Sequence, residues 1–438
     1  MTDWRHGQAY SWYVALVLAA ANVTSIFDRV LMGVAIVPIK ADLGLSDAEL
    51  GLLHGTSFVI LYCLAGIPLG HCADLVNRKR LIIIGIVVWG LAMIASGCAD
   101  SFWSLFAARA AVGLGEACLV PAAMSLLAAY FARDKLARAV AVFISGGTLG
   151  KAAAFSIGGG LITYLAAQGG LTIPGLAHLS AWQGTFIIAG IPALFVAALV
   201  LTIAEPPRHA PRRHSASFKD AVIHLRLNAR AYALHGMAFM SIMSIVHALI
   251  AWTVTLFVRV HDLSVAEAGS IAGAIVLILG PTGSLLGGWI TDRLSARGVE
   301  GAPGITITGA LSISIVPAWL FCASERAELA VLGCALLQLA ISAATAPALA
   351  GVQMLTPERH RGIVTSIFLS GGTLAALGLV PALIGWLTDF VFVSPERVGI
   401  SLLAALLLFA IAGGLAALAG RRSFDDTLAG YRQPRVSA

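Results

Sequence analysis

The chain is 438 residues long, 59% of them hydrophobic and only 11% charged, with a mean hydropathy of +0.90. That composition leaves too few charges to clothe a water-soluble surface, so the broad class is a polytopic membrane protein. The net charge of +6 then concerns which side of the bilayer the basic residues occupy and how they meet lipid headgroups. It argues for no nucleic-acid partner.

Apolar stretches long enough to cross about 30 Å of hydrocarbon as helices run, in chain order, over 12–38, 48–73, 79–98, 102–132, 137–165 and 183–203. A second set follows over 231–258, 265–291, 302–322, 327–354, 362–390 and 396–420. The predicted layout is all-α: a six-helix bundle over 1–204, a linker over 205–230, a second six-helix bundle over 231–420 and a tail over 421–438. The first stretch is too long and too charged for a cleaved signal segment, and it is expected to be retained. The linker carries Pro206, Pro207, Pro211 and six basic residues. It is either a solvated loop throughout or holds a short surface helix around Phe218–Leu227.

Basic residues mark the orientation. Of the 28 Lys and Arg residues, 21 fall at the N-terminus, in the loops after even-numbered spans and in the tail, whereas the opposite loops hold only Lys40, Arg259, Arg326 and Arg397. Cytoplasmic loops carry the excess of positive charge, so both termini are predicted to be cytoplasmic. The six cysteines lie in or beside apolar segments without metal-ligand spacing; they read as small packing residues, and no metal site is expected.

Five charged residues remain inside apolar spans: Asp28, Arg29, Arg109, Glu116 and Lys151. Each costs about 3 kcal/mol to insert, so each needs a partner or a function. Arg109 and Glu116 are seven residues apart, about two helical turns or roughly 10 Å along one face. They can line one cavity wall without bonding to each other. Asp28 and Arg29 are adjacent and point about 100° apart, so at most one aims squarely at a given spot. Counted as ionised, the five leave one positive charge in excess. Lys151 is the odd one, because it interrupts the face between Gly150 and Gly158. It serves as a binding point for a carboxylate, sulfate or phosphate, as a structural partner of Glu116 or Asp28, or as a lysine that snorkels to the interface.

The chain also repeats itself. Phe143-Ile-Ser-Gly-Gly-Thr-Leu-Gly150 returns as Phe368-Leu-Ser-Gly-Gly-Thr-Leu-Ala375, and Gly70-x-x-x-Asp74 returns as Gly288-x-x-x-Asp292, each of the latter followed by basic residues. The copies fall at matching places in the two sets of six spans. Parallel repeats of this kind build a transport path at their interface.

Twelve spans in two halves, with Gly-x-x-x-Asp and basic residues after the second and eighth, resemble the major facilitator superfamily over essentially the whole chain. The resemblance implies the major facilitator fold and alternating access. It also implies a conformational latch built from Gly70, Asp74 and Arg78 in one half and Gly288, Asp292 and Arg293 in the other. The first copy departs from the family pattern: Leu75 stands where a basic residue is usual and Asn77 where a glycine is. Asn tolerates the left-handed backbone that such a glycine would adopt. Phe27-Asp28-Arg29, Pro38-Ile-Lys-Ala-Asp-Leu-Gly-Leu-Ser46, Leu50-Gly-Leu-Leu53 and Arg109-Ala-Ala-Val-Gly-Leu-Gly-Glu-Ala117 further resemble the Spinster-like branch. That likeness is good in the first six spans and thin in the second six. It makes Arg109 the expected partner of Asp28 and points to Asp28, Arg109 and Glu116 as proton-coupling residues.

A carboxylate beside an arginine in a partly dry cavity takes a proton when the arginine is drawn to a substrate anion and releases it when the arginine returns. Expected substrate contacts are Lys151, Arg29, His54, Thr148, His247, Trp252 and Gln338. With its charges confined to the first half, the chain reads as a secondary transporter of an amphipathic or aromatic organic anion, working as a monomer by proton symport. No cofactor is expected. The Gly-Pro pair that marks many antiporters in the fifth span is absent, since Lys151 follows Gly150. Proton-driven efflux of an amphiphile or lysolipid is the alternative, and a channel or transporter-like sensor is the reading from a different class. An enzyme would need a nucleophile–base pair or His-Glu-x-x-His spacing, and neither occurs. Compact loops and the family resemblance point to a bacterial inner membrane.

Overall fold

A computed structural model describes residues 7–173, 177–206, 218–357 and 360–432. Among these, twelve helices are long and apolar enough to cross a membrane. The first six are Gln8–Val34, Asp47–Gly66, Arg78–Gly97, Phe102–Tyr130, Asp134–Ala167 and Ala181–Leu201. The second six are Ala229–His261, Val265–Ala296, Ala302–Ala323, Ala327–Leu355, Gly371–Val391 and Pro395–Ala429. They fall on the twelve stretches read from hydropathy, and the departures are at their ends. The seventh, eighth and twelfth spans reach 33, 32 and 35 residues, more than the about 20 that a perpendicular crossing needs.

A short helix, Ile36–Leu43, continues the first span, and Gly44 ends it at φ 65° with its amide on the Lys40 carbonyl. Only a residue without Cβ takes that left-handed position without strain, which makes Gly44 the stop signal. The only strands among the described residues, Leu171–Ile173 and Ala177–Leu179, pair antiparallel with Leu171 opposite Leu179.

The chain divides into two compact units that do not follow the sequence halves. One comprises 1–209 with 250–277 and 381–395; the other comprises 210–249, 278–380 and 396–438. Spans seven, eight and eleven are thus each shared, because their ends that meet the loops after odd-numbered spans pack with the first six helices.

In the first unit, spans one and five cross closely through Gly146-x-x-x-Gly150. A Cβ added at Gly146 would lie 2.6 Å from the Ala19 carbonyl oxygen, and one at Gly150 2.6 Å from that of Val23. Small residues at such a crossing let two backbones meet where lipid offers no hydrophobic drive. Asn22 adds a bond from Nδ2 to the Phe143 carbonyl at 2.8 Å. The loop side is tied by charge: Asp47 takes Lys40 Nζ at 2.7 Å and both Arg259 guanidinium nitrogens at 2.8 Å. Beside it Asp389 accepts the Ala48 amide at 2.7 Å, a carboxylate at a helix N-terminus. The helices widen to π-turns at Leu52–Thr56, Ala154–Gly158 and Leu387–Val391, a geometry often found at functional places.

In the second unit, a helix does run over Phe218–Leu227. Its Ala221 joins a buried cluster of Ala231, Tyr232, Val352, Leu355, Val364 and Phe424. Tyr232 Oη bonds the Leu355 carbonyl at 2.7 Å, and His224 Nε2 lies 3.0 Å from the same hydroxyl. This part of the linker is therefore docked against the ends of spans seven, ten, eleven and twelve. No disulfide joins the cysteines: Cys118, Cys322 and Cys334 are buried, and Cys98 is exposed.

Candidate functional site

The fourth span sets the geometry of the charged core. Ser101 caps it, its hydroxyl accepting the Ser104 amide. The helix runs to Glu116, turns through Ala117 and Cys118, and resumes at Leu119. Pro121 accounts for the break, because it has no N–H to return to the carbonyl four residues earlier. Arg109 sits within the regular part and Glu116 at its last residue, so the two face the first span at different heights.

Adjacent residues of the first span feed these two positions separately. Arg109 Nη1 donates to both oxygens of Asp28 at 2.8 Å, and both side chains are fully buried. Arg29 diverges to Glu116: its Nε and Nη2 both lie 2.6 Å from Oε2, the atom that also accepts Ser25 Oγ at 2.7 Å. The guanidinium of Arg29 stacks over Phe58 at 4.6 Å and Tyr62 at 4.8 Å from the ring centroids, a cation–π arrangement that suits a partly dry site. Its side chain is 20% exposed, whereas that of Glu116 is 0% exposed. Free bonding capacity remains: among the described residues Arg109 Nε and Nη2 and Glu116 Oε1 are buried without a partner.

Lys151 lies in the last turn before the π-turn of the fifth span and is half-buried. No described residue forms an ion pair with it. Both intramembrane carboxylates are already engaged by arginines, so Lys151 does not serve as the structural partner of Glu116 or Asp28. The first unit also holds His54, buried inside the π-turn of the second span, and half-buried Thr148. Trp252 is fully buried and gives its indole N–H to the Pro381 carbonyl at 3.2 Å. It therefore packs helices here and presents no face to a solute. His247 and Gln338 belong to the second unit, where Gln338 Nε2 bonds Ser342 Oγ at 2.9 Å.

The expected latch residues divide. Among the described residues, nothing lies within 4 Å of a Cβ added at Gly70 or Gly288. Asp292 and Arg293 are exposed, with Arg293 5.7 Å over the Trp289 ring. The Asp74 side chain lies outside the described residues. Arg78 is no free basic latch partner: it bonds Glu205 at 2.8 Å, the Pro206 carbonyl at 3.1 Å and Ser125 Oγ at 3.2 Å. Asn77 has φ −59°, not a left-handed value; its side chain accepts the Arg80 amide as the helix cap. That capping role explains its place without any glycine-like conformation.

Ser25, Phe58 and Tyr62 complete the core and went unremarked in the sequence. Ser25 stands one helical turn before Asp28 and Arg29, and Phe58 and Tyr62 form an i, i+4 pair. These spacings are the signals that could have drawn attention to them.

Twelve helices long and apolar enough to cross a membrane, with buried ion pairs inside the first unit, describe a multi-pass membrane protein. The Major Facilitator Superfamily profile matches residues 18–378. The chain belongs to that family, in its Spinster-like branch, and is a secondary transporter rather than an enzyme. It is 28% identical to an MFS-type efflux pump of Mycolicibacterium smegmatis over 88% of this chain and 86% of that one. It is 26% identical to mouse protein spinster homolog 1 over 69% of this chain and 59% of that longer one. Its fold matches the crystal structure of a bacterial homologue of the human lysosomal transporter Spinster in an inward-facing, unoccupied conformation. The TM-score is 0.81 at 24% identity, covering 98% of this chain and 100% of the other.

Proposed function

We propose that this chain is a proton-coupled carrier of an organic anion, working as a monomer by alternating access in a bacterial inner membrane with both termini on the cytoplasmic side. One observation carries the reading. Of the five charges away from the span ends, four are consumed in two ion pairs, and the fifth, Lys151, is a half-buried cation with no ion-pair partner among the described residues. A cation in that setting recruits an anionic group from the solute.

The two pairs have different tasks. Asp28–Arg109 is fully buried on both sides and holds spans one and four in register. Arg29–Glu116 is the exchanging pair, because Arg29 is the partner with accessible surface. An anion bound at Lys151 competes for the Arg29 guanidinium. Glu116, buried and deprived of its counter-charge, takes up a proton rather than remain charged. Release of the anion returns Arg29 and expels the proton. Gly70 and Gly288, open in this conformation, belong to latches that engage in another state of the cycle.

A second reading, proton-driven efflux of an amphiphile, is favoured by the efflux-pump name of the Mycolicibacterium relative. Liposome transport separates the two. With the protein reconstituted and a panel of labelled aromatic carboxylates outside, symport predicts accumulation driven by an inward proton gradient and abolished by a protonophore. Accumulation that needs an outward proton gradient establishes exchange instead. Transport indifferent to the gradient sinks proton coupling altogether.

A further inference from the structure

The second unit contains an apolar cleft of its own. Spans eight, nine and ten enclose an apolar groove of about 740 Å³, walled by Leu286, Ile290, Ile313, Val316, Leu320 and Leu336. Between Ile305 and Leu320 it follows the ninth span for about 22 Å at 1.5 Å per residue, more than the about 15 Å depth of one leaflet's hydrocarbon. Gly309 lines it, and among the described residues a Cβ there would meet nothing within 4 Å.

Ile305 also walls a second cavity of about 310 Å³, whose other sides are Val299, Glu300, Arg421, Arg422 and Asp425. The two cavities share Ile305, and the second is lined by two cations and two carboxylates. Among the described residues Arg421 and Arg422 form no ion pair, and Asp425 Oδ2 has no hydrogen-bond partner. The chamber sits where the eighth-to-ninth loop meets the end of the twelfth span, on the face where the chain concentrates its basic residues.

We propose that this cleft binds a bilayer phospholipid with a primary-ammonium headgroup. One acyl chain lies in the groove, the phosphate meets Arg421 and Arg422, and the ammonium meets Glu300 and Asp425. The charge pattern selects this chemistry. A phosphate alone would engage only the two cations, whereas a phosphate joined to an ammonium also engages the carboxylates, of which Asp425 keeps Oδ2 unpartnered among the described residues. A trimethylated ammonium has no N–H to give the free Asp425 oxygen, so choline lipids satisfy the charge but not the hydrogen bond.

Native mass spectrometry of the full-length protein tests this, with phosphatidylethanolamine, phosphatidylcholine and phosphatidylglycerol of matched chains and with free phosphoethanolamine. Retention of the ethanolamine lipid should exceed that of the other two by roughly tenfold, the worth of one charge-assisted hydrogen bond. Free phosphoethanolamine should bind far more weakly, since it lacks the chain that fills the groove. Asp425→Asn should erase the preference over choline lipid. Arg422→Gln, at an exposed position, should weaken both lipids alike. Gly309→Leu should fill the groove and lower binding of every tailed lipid. Equal retention of the three lipids by the wild type, a preference for phosphatidylglycerol, or retention unchanged by all three variants would overturn the site and leave ordinary surrounding lipid.

Discussion

The fifth and eleventh spans carry almost the same eight residues and put them to different use. In the fifth, Gly146 and Gly150 bring the backbone of the first span so close that a Cβ would sit 2.6 Å from the Ala19 and Val23 carbonyl oxygens. In the eleventh, Gly371 and Gly372 face side chains: a Cβ would meet the Met240 methyl at 3.7 Å and the Phe239 ring at 3.0 Å. The residue just beyond the motif differs as well, Lys151 in one copy and fully buried Ala376 in the other. Duplication has kept a helix crossing in both halves. The charges of the proposed site are not duplicated: Asp28 and Arg29 on the first span, Arg109 and Glu116 on the fourth, and Lys151 on the fifth.

The largest expected effect comes from breaking the fully buried pair. Arg109→Gln or Asp28→Asn alone should cost about 3–5 kcal/mol, because either leaves a buried charge without its partner. The double variant should recover most of that loss in thermal melts of the purified protein. Costs that simply add would show that the two residues are not coupled. Next, Gly146→Val should destabilise by about 1–3 kcal/mol through overpacking against span one. Gly371→Ala, with only a methyl group at van der Waals distance, should stay within about 0.5 kcal/mol. Equal effects at the two sites would erase the contrast drawn between the copies. Glu116→Gln leaves Arg29 without its counter-charge, but Arg29 is 20% exposed, so the cost should be smaller than that of breaking the fully buried pair. Its signature is functional: solute should still exchange across liposomes, but a proton gradient should no longer concentrate it. Retained accumulation would remove Glu116 from the coupling step.

Much of this was legible in the residues. Hydropathy located all twelve spans, since hydrocarbon demands about 20 apolar residues whatever the tertiary fold. Resemblance named the Asp28–Arg109 pair. What could not be read was where Arg29 would go. Two adjacent helical residues diverge by about 100°, and only the packing of spans one, two and four reveals that Glu116, Phe58 and Tyr62 receive it. Arg78 was misleading for a similar reason, because a basic residue after a Gly-x-x-x-Asp segment looks free until Glu205 and Pro206, more than 120 residues later, are found against it. Whether 218–227 forms a short helix or a solvated loop was an even choice in the sequence, since the buried contacts of Ala221 include Val352, Leu355, Val364 and Phe424, more than 120 residues away. The far-side ties of Asp47 to Arg259 and of Asp389 to the Ala48 amide join elements 212 and 341 residues apart, beyond any local pattern.

The most direct test of the central claim is a binding measurement on Lys151. Purified wild type, Lys151→Ala and Lys151→Arg would be titrated with a panel of aromatic and aliphatic carboxylates, lysolipids and neutral sugars, and the shift in melting temperature followed. A carboxylate should raise the melting temperature of the wild type and of Lys151→Arg, and leave Lys151→Ala unmoved. Equal shifts in the wild type and Lys151→Ala, or stabilisation by neutral sugars alone, would show that Lys151 is not the anion's anchor.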